Sequence, residues 1–240
     1  MKQVPPFEWS QEALKLRQFV YEFWCERAYG PNMLDMSRSV GLTRRQILDA
    51  LYELQMGGLC VLDLNSPNLN LLRFLPFSSY PTGVKVFIGD RFLGFVGCAM
   101  ESVAFSKMPP YAGKEVRIES YCPCCLTPVT VTSKDGKMRA WEPESLLIHV
   151  GLTPWEWNKL DHNPMCDSMN YVLNADHAGQ YEQMVSRRGV AFTMKQAEGL
   201  VKGVADNRMI DYNWPFTPGD PARIIEGIKA LGVDVSPWGA

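Results

Sequence analysis

Arg91-Phe92-Leu93-Gly94-Phe95-Val96-Gly97-Cys98-Ala99-Met100-Glu101 is the stretch from which the fold is read. A short apolar run passes through a glycine into a segment with helical spacing. That is a β-strand feeding a helix, with Cys98 at or near the helix N-terminus. The partial positive charge of a helix start favours thiolate over thiol there. Glu101 follows three residues later and shares a helical face with Cys98. One helical turn therefore presents a soft nucleophile beside a group that gives or takes a proton. A lone Cys-x-x-Glu is also the pattern of a half-buried cysteine next to a solvent-facing glutamate. The rest of the chain must decide between the two.

Upstream, apolar residues at Ala13, Leu16, Val20, Phe23 and Trp24 form a helical stripe after Ser10. A second short helix is predicted over 33–40 and stops at Gly41. Thr43-Arg44-Arg45-Gln46 is a capping-box pattern opening a third helix, with Ile47, Leu48, Leu51 and Leu54 on one side and Gly57-Gly58 at its end. Two β-rich runs, 59–64 and 69–74, flank Asn65-Ser66-Pro67-Asn68. Three helices and a hairpin make a winged helix-turn-helix pattern. Its functional reading is DNA binding through Arg44 and Arg45. The third helix is otherwise poor in positive charge and the wing offers only Arg73, so a scaffold or docking role is favoured. Pro76 to Pro81 reads as a linker.

Downstream the period changes to strands at 84–88 and 92–96 around Gly89-Asp90, then at 116–121, 128–132, 137–141 and 146–150. Asp135-Gly136 is a hairpin turn. The Cys98 helix is expected to end before Pro109-Pro110. A short helix over 155–160, a strand at 170–173 and helices near 175–187 and 193–209 follow. Asp220-Pro221 opens a last helix to about Leu231. The expected class is α+β: a winged-helix-like helical domain at 1–75, then at 76–240 a mixed or antiparallel sheet domain with flanking helices and a C-terminal helical extension.

The 240 residues carry a net charge of −2, with 46% hydrophobic and 21% charged residues. These are values of a globular chain with a sizeable core, and nothing in them points to nucleic acid or an anionic membrane. No run reaches membrane-spanning length, and the first residues lack the apolar core of a secretion signal. The seven cysteines are odd in number. With no secretion signal they read as reduced thiols in a cytoplasm, not as a disulfide scaffold. His149, His162 and His177 show no ligand spacing to one another and receive no role.

Cys122-Pro123-Cys124-Cys125 is the densest thiol cluster. A structural zinc would want a second ligand pair at typical spacing, and adjacent Cys124 and Cys125 do not readily share one tetrahedral ion. The better reading is a turn with one buried and two partly exposed cysteines, accessory thiols at most. Cys166 lies in a loop, His162-Asn163-Pro164-Met165-Cys166-Asp167, ahead of a strand.

The run from Arg91 to Val150 resembles the organomercurial (alkylmercury) lyase family. In that family a strand enters a Cys-Ala-Leu-Asp helix; here it enters Cys98-Ala99-Met100-Glu101. The family's next strand, cysteine and Pro-Val step compare with Val116 to Cys122 and Thr127-Pro128-Val129. Its Val-Glu-Pro step compares with Trp141-Glu142-Pro143. A second cysteine in a loop, with an aromatic five residues on, compares with Cys166 and Tyr171. The similarity extends over roughly Met33 to Ala205. It implies Cys98 and Cys166 as the catalytic, mercury-holding pair and Glu101 as the acid, and an N-terminal domain that does not read DNA. The acid is Glu where the family usually has Asp, and Asp-Ser-Met-Asn follows Cys166 in place of a Cys- and His-rich stretch.

The implied chemistry is protonolysis of a carbon–mercury bond, leaving a hydrocarbon and mercury(II) on two thiolates. No organic cofactor is implied. The partners would be an organomercury small molecule, low-molecular-weight thiols that release the product, and a mercuric reductase as the next receiver. No specific nucleic acid and no membrane are expected. The other readings are a non-catalytic mercury or copper carrier or sensor on the same fold, then a related enzyme retargeted to another carbon–heteroatom bond, and last a transcription factor.

Overall fold

The computed structural model describes residues 8–157, 161, 163–204, 209, 211–212 and 220–239. Helix α1 (Gln11–Arg27) starts where Ser10 accepts the Ala13 N–H, and it buries Ala13, Leu16, Val20, Tyr21 and Trp24. Helix α2 (Met33–Val40) has a capping box at Asn32 and ends at the left-handed Gly41. Helix α3 (Arg44–Met56) has the capping box expected at Thr43 and Gln46. Each start is fixed by a short polar side chain that satisfies backbone N–H groups with no helical partner.

Strands β1 (Cys60–Leu62) and β2 (Leu71–Phe74) pair antiparallel, as the hairpin pattern predicts. The stretch expected as a linker is not one. Phe77–Ser78 is a strand, β3, hydrogen-bonded to β2 on one side and to β5 (Arg91–Val96) on the other. The chain has no slack there, because Phe77 stacks on Trp24 of α1 with ring centroids 5.1 Å apart. Tyr21 also donates from its hydroxyl to the Leu75 carbonyl at 2.7 Å. Apolar burial and these contacts weld the three helices to the sheet, and the sheet crosses residue 76 without a break.

With β4 (Lys85–Ile88), β6 (Glu115–Tyr121), β7 (Pro128–Lys134) and β8 (Lys137–Glu142), the eight strands run β1-β2-β3-β5-β4-β6-β7-β8, every neighbouring pair antiparallel. The β7–β8 turn has Asp135 at φ 52° and Gly136 at φ 71°, the two positive values that a two-residue hairpin turn of this twist requires. A second sheet of three antiparallel strands has β9 (Leu147–Val150) between β10 (Met169–Val172) and β11 (Val190–Thr193). The architecture is α+β, with antiparallel sheets and flanking helices.

Helix α4 is short, Ala99–Ala104, and gives way to 3-10 turns at Phe105–Lys107 and Pro109–Tyr111, earlier than Pro109-Pro110 alone implied. Helix α5 (Asn163–Asp167) precedes β10. Helix α6 (Ala175–Val185) follows it, capped by Asn174. Helices α7 (Met194–Val204) and α8 (Pro221–Ala230) complete the order, α8 starting at Asp220 as expected. The helix expected over 155–160 is a turn through Thr153–Glu156, where Glu156 accepts the Thr153 N–H; 158–160 lie outside the described residues, as do 205–208 at the end of the helix expected to 209. Among the described residues no helix is long and apolar enough to cross a membrane.

Candidate active site

The seam between the two sheets gathers the residues singled out above. Strand β5 ends at Val96, Gly97 turns the chain, and Cys98 caps α4, its sulfur accepting the Glu101 N–H at 3.4 Å. From the other side, α5 carries Cys166 and β10 carries Met169, whose thioether sulfur lies 3.8 Å from the Cys98 sulfur. The ligand atoms of Cys98, Glu101 and Cys166 all lie within 4.8 Å of one another. The three residues are 2%, 6% and 1% exposed. Glu101 is therefore turned into the protein, not toward solvent, and the two sulfurs are near enough to hold one soft ion.

Gly97 explains how three side chains fit in so small a volume. A Cβ built there would meet a Glu101 carboxylate oxygen at 2.6 Å, an Arg73 nitrogen at 3.4 Å and the Cys166 sulfur at 3.5 Å. The glycine is the floor of the site, and a methyl group there would displace the Glu101 carboxylate.

The expectation of a thiolate-favouring Cys98 does not hold. Burial pushes its pKa well up, and the neighbouring Cys166 and the charge of Glu101 push in the same direction; only the Glu101 N–H opposes them. Removing a charge from water outweighs the dipole of a six-residue helix. Cys98 rests as a thiol.

Arg73, read as the wing's lone cation, is fully buried beneath this site. It donates to the Tyr80 hydroxyl at 2.6 Å, the Gly97 carbonyl at 3.1 Å and Asp167 at 2.5 Å. Burial by itself would lower its pKa, but Cys166, Asp167 and Tyr80 outweigh that and hold the guanidinium charged. The Tyr80 hydroxyl passes the network on to Asn163 at the start of α5, 2.9 Å away. Arg73 thus ties the glycine floor on one side of the seam to the helix bearing Cys166 on the other. The only signal for it in the sequence was a charged residue inside the apolar run Leu71-Leu72-Arg73-Phe74. Tyr171, the aromatic expected after Cys166, is buried and bonds the Ser102 hydroxyl on α4 at 2.8 Å. It is a second tie across the seam.

Residues 77–205 match the alkylmercury lyase family, MerB. The chain belongs to that family. A solved structure described as the mercury-bound form of MerB2 superposes with a TM-score of 0.64 at 17% identity, over 86% of this chain and 93% of that one. At that identity the likeness is one of fold. No curated protein matches the chain significantly. The matched region of this alkylmercury lyase family member contains Cys98, Glu101 and Cys166, and it begins at β3.

Cys122, Cys124 and Cys125 are not part of this grouping. Cys122 is buried, Cys124 half-buried and Cys125 exposed, as the turn reading expects. All seven cysteines are free thiols. Of the cations thought to suit DNA, Arg44 donates to the Pro67 carbonyl at 2.5 Å and Arg45 pairs with Asp49 at 2.9 Å.

Proposed function

We propose that this chain cleaves the carbon–mercury bond of organomercury compounds by protonolysis. The observation that carries the reading is the meeting of two buried thiols and one buried carboxyl group within 4.8 Å, in a chain of the alkylmercury lyase family. Mercury(II) is soft and prefers thiolates. The substrate R–Hg–SR′, an organomercury adduct of a small thiol, exchanges its thiol for Cys98: Cys98–S–Hg–R forms and R′SH departs with the Cys98 proton. Cys166 then gives its proton to the Glu101 carboxylate, and its sulfur bonds the mercury. The second thiolate raises electron density on the metal. Glu101, now a neutral acid, delivers that proton to carbon as the carbon–mercury bond breaks. The hydrocarbon RH leaves and mercury(II) remains between the two cysteines. Two further small thiols, or a mercuric reductase, take the mercury(II) and restore the pair. No organic cofactor enters this cycle, and the need for small thiols suits a reducing cytoplasm.

Arg73 offsets negative charge in this scheme, since a thiolate pair and a carboxylate pass through one buried spot. Residues 1–75 serve as a scaffold packed on the sheet and do not read DNA.

The test is hydrocarbon release from phenylmercury or methylmercury with excess thiol, by headspace detection, for the wild type and for Glu101→Gln. The amide cannot relay the proton, so Glu101→Gln is expected to bind mercury(II) on its cysteines yet lose hydrocarbon release, while Glu101→Asp retains part of it. Stoichiometric metal uptake by the wild type without any hydrocarbon would favour the carrier reading instead.

A further inference from the structure

The Cys122-Pro123-Cys124-Cys125 turn acquires a fourth partner that its sequence neighbourhood does not reveal. His177 of α6 brings its Nδ1 to 3.0 Å from the Cys124 sulfur and 3.8 Å from the Cys122 sulfur. The Cys122 and Cys124 sulfurs are 3.5 Å apart. Adjacency of Cys124 and Cys125 argued against a shared ion in the sequence, but the folded turn brings both sulfurs together with the Cys122 sulfur and the His177 ring nitrogen, all four ligand atoms within 4.8 Å of one another. A tetrahedral zinc with bonds of about 2.3 Å to sulfur and about 2.0 Å to nitrogen separates its ligand atoms by roughly 3.5–3.8 Å. The spacings here bracket that range.

The backbone prepares the turn for this. The Cys122 N–H bonds the Thr127 carbonyl at 2.9 Å, and the Leu126 N–H bonds the Cys122 carbonyl at 2.8 Å. Leu126 takes a left-handed φ of 60°. The loop closes on itself and turns its thiols to one side. His177 is held in turn by its place in the first turn of α6, where its backbone N–H bonds the Asn174 side chain at 3.0 Å. Cys122 also forms a small apolar knot with Val172 and Ala178, apart from the main core.

We propose that Cys122, Cys124, Cys125 and His177 bind a structural zinc(II) ion. Three thiolates and one imidazole, with no fifth protein donor grouped with them among the described residues, make a closed donor set, which is the composition of structural zinc sites. Its position gives it a purpose. The thiols lie at the end of β6 on the large sheet, and His177 lies just after β10 on the small one. The mercury pair straddles the same seam, because Cys166 lies just before β10 and Cys98 just after β5. Cys166 and His177 thus bracket one strand. A metal at the His177 end would fix how β10, with Met169 and Tyr171, sits against α4. The assignment does not depend on the lyase reading.

The full-length chain, expressed with zinc and purified with a reductant, should carry about one zinc per chain by elemental analysis. Cobalt(II) exchanged into it should show thiolate charge-transfer bands and the visible bands of a tetrahedral ion. Cys166→Ser, which breaks the other thiol pair, should keep the metal. His177→Gln and Cys125→Ser should lose it, falling to roughly a tenth of an equivalent or less; both change partly or fully exposed positions, so they test the site even if Cys122→Ser fails to fold. Far-ultraviolet circular dichroism would verify that each variant is folded. Zinc retained at full stoichiometry in His177→Gln, or lost in Cys166→Ser, would overturn the proposal. So would a wild type that binds neither zinc nor cobalt, including one that takes up a second mercury(II) there.

Discussion

Gly97→Ala separates the position of the proton donor from the thiols' hold on the metal. The added Cβ would stand 2.6 Å from a Glu101 carboxylate oxygen, where ordinary contact begins at 3.4 Å. The carboxylate must retreat by the difference, 3.4 − 2.6 = 0.8 Å. It is the far end of a flexible side chain, so it can move and the fold survives. The same Cβ would meet the Cys166 sulfur at 3.5 Å and Arg73 at 3.4 Å, both tolerable. Mercury(II) should therefore still bind both thiols. Proton delivery is less forgiving: a misplacement of about 1 Å can cost on the order of 10²-fold in rate. Gly97→Ala should lower the rate of hydrocarbon release by roughly that factor.

Gas chromatography of the headspace gives the rate, and competition against a chelating dithiol gives the affinity for mercury(II). Thermal unfolding checks the fold, which should change little, since glycine to alanine acts on the unfolded chain by only about 0.4–1 kcal/mol. Wild-type hydrocarbon release from Gly97→Ala would mean that Glu101 need not stand where the structure has it. Loss of mercury(II) binding would mean that the added methyl group disturbs the sulfurs, not the acid.

Cys98→Ser and Cys166→Ser should each lower turnover by about 10³-fold or more, because each member of a unit that acts together is indispensable; measurable single-variant turnover near the wild-type rate would exclude the pair. His149 is buried against Glu182, and burial lowers its pKa despite that partner. The unfolded chain then takes up this proton first as pH falls through about 6.5. Stability contributed by neutral His149 is present above that pH and is lost below it, and His149→Gln should flatten denaturant midpoints measured between pH 7 and 5.5. Arg44 and Arg45 are engaged within the protein, so no salt-dependent shift of duplex DNA is expected at nanomolar chain; a specific shift would overturn the scaffold role of residues 1–75.

Local signals were legible in the sequence, and contacts over long separations were not. The caps at Ser10, Thr43 and Asp220 and the Asp135-Gly136 turn act within three or four residues, so they could be read from the chain. Cys98 and Glu101 also lie within one turn. Cys166 could be paired with them only through the family resemblance, since nothing local ties residue 166 to residue 98. The contacts of Arg73 and His177 are hidden for the same reason. Arg73 meets Asp167 across 94 positions, and His177 meets Cys122 across 55. Phe77-Ser78 reads as a linker in the sequence because two prolines flank a strand of two residues, too short to show alternation.

The resting protonation of the site bears on how it selects its substrate. A thiolate pair exposed to water would bind any soft ion it met. Here burial holds Cys98 as a thiol, and the energy needed to ionise it must come from the bond it forms. Sulfur–mercury bonding provides that, since a metal-bound thiol is deprotonated outright. Hard divalent ions, which gain little from sulfur, do not offset the desolvation of the anion. The raised pKa that contradicts the helix-end argument therefore serves the proposed reaction. It keeps a proton on the Cys98 sulfur until a soft metal arrives.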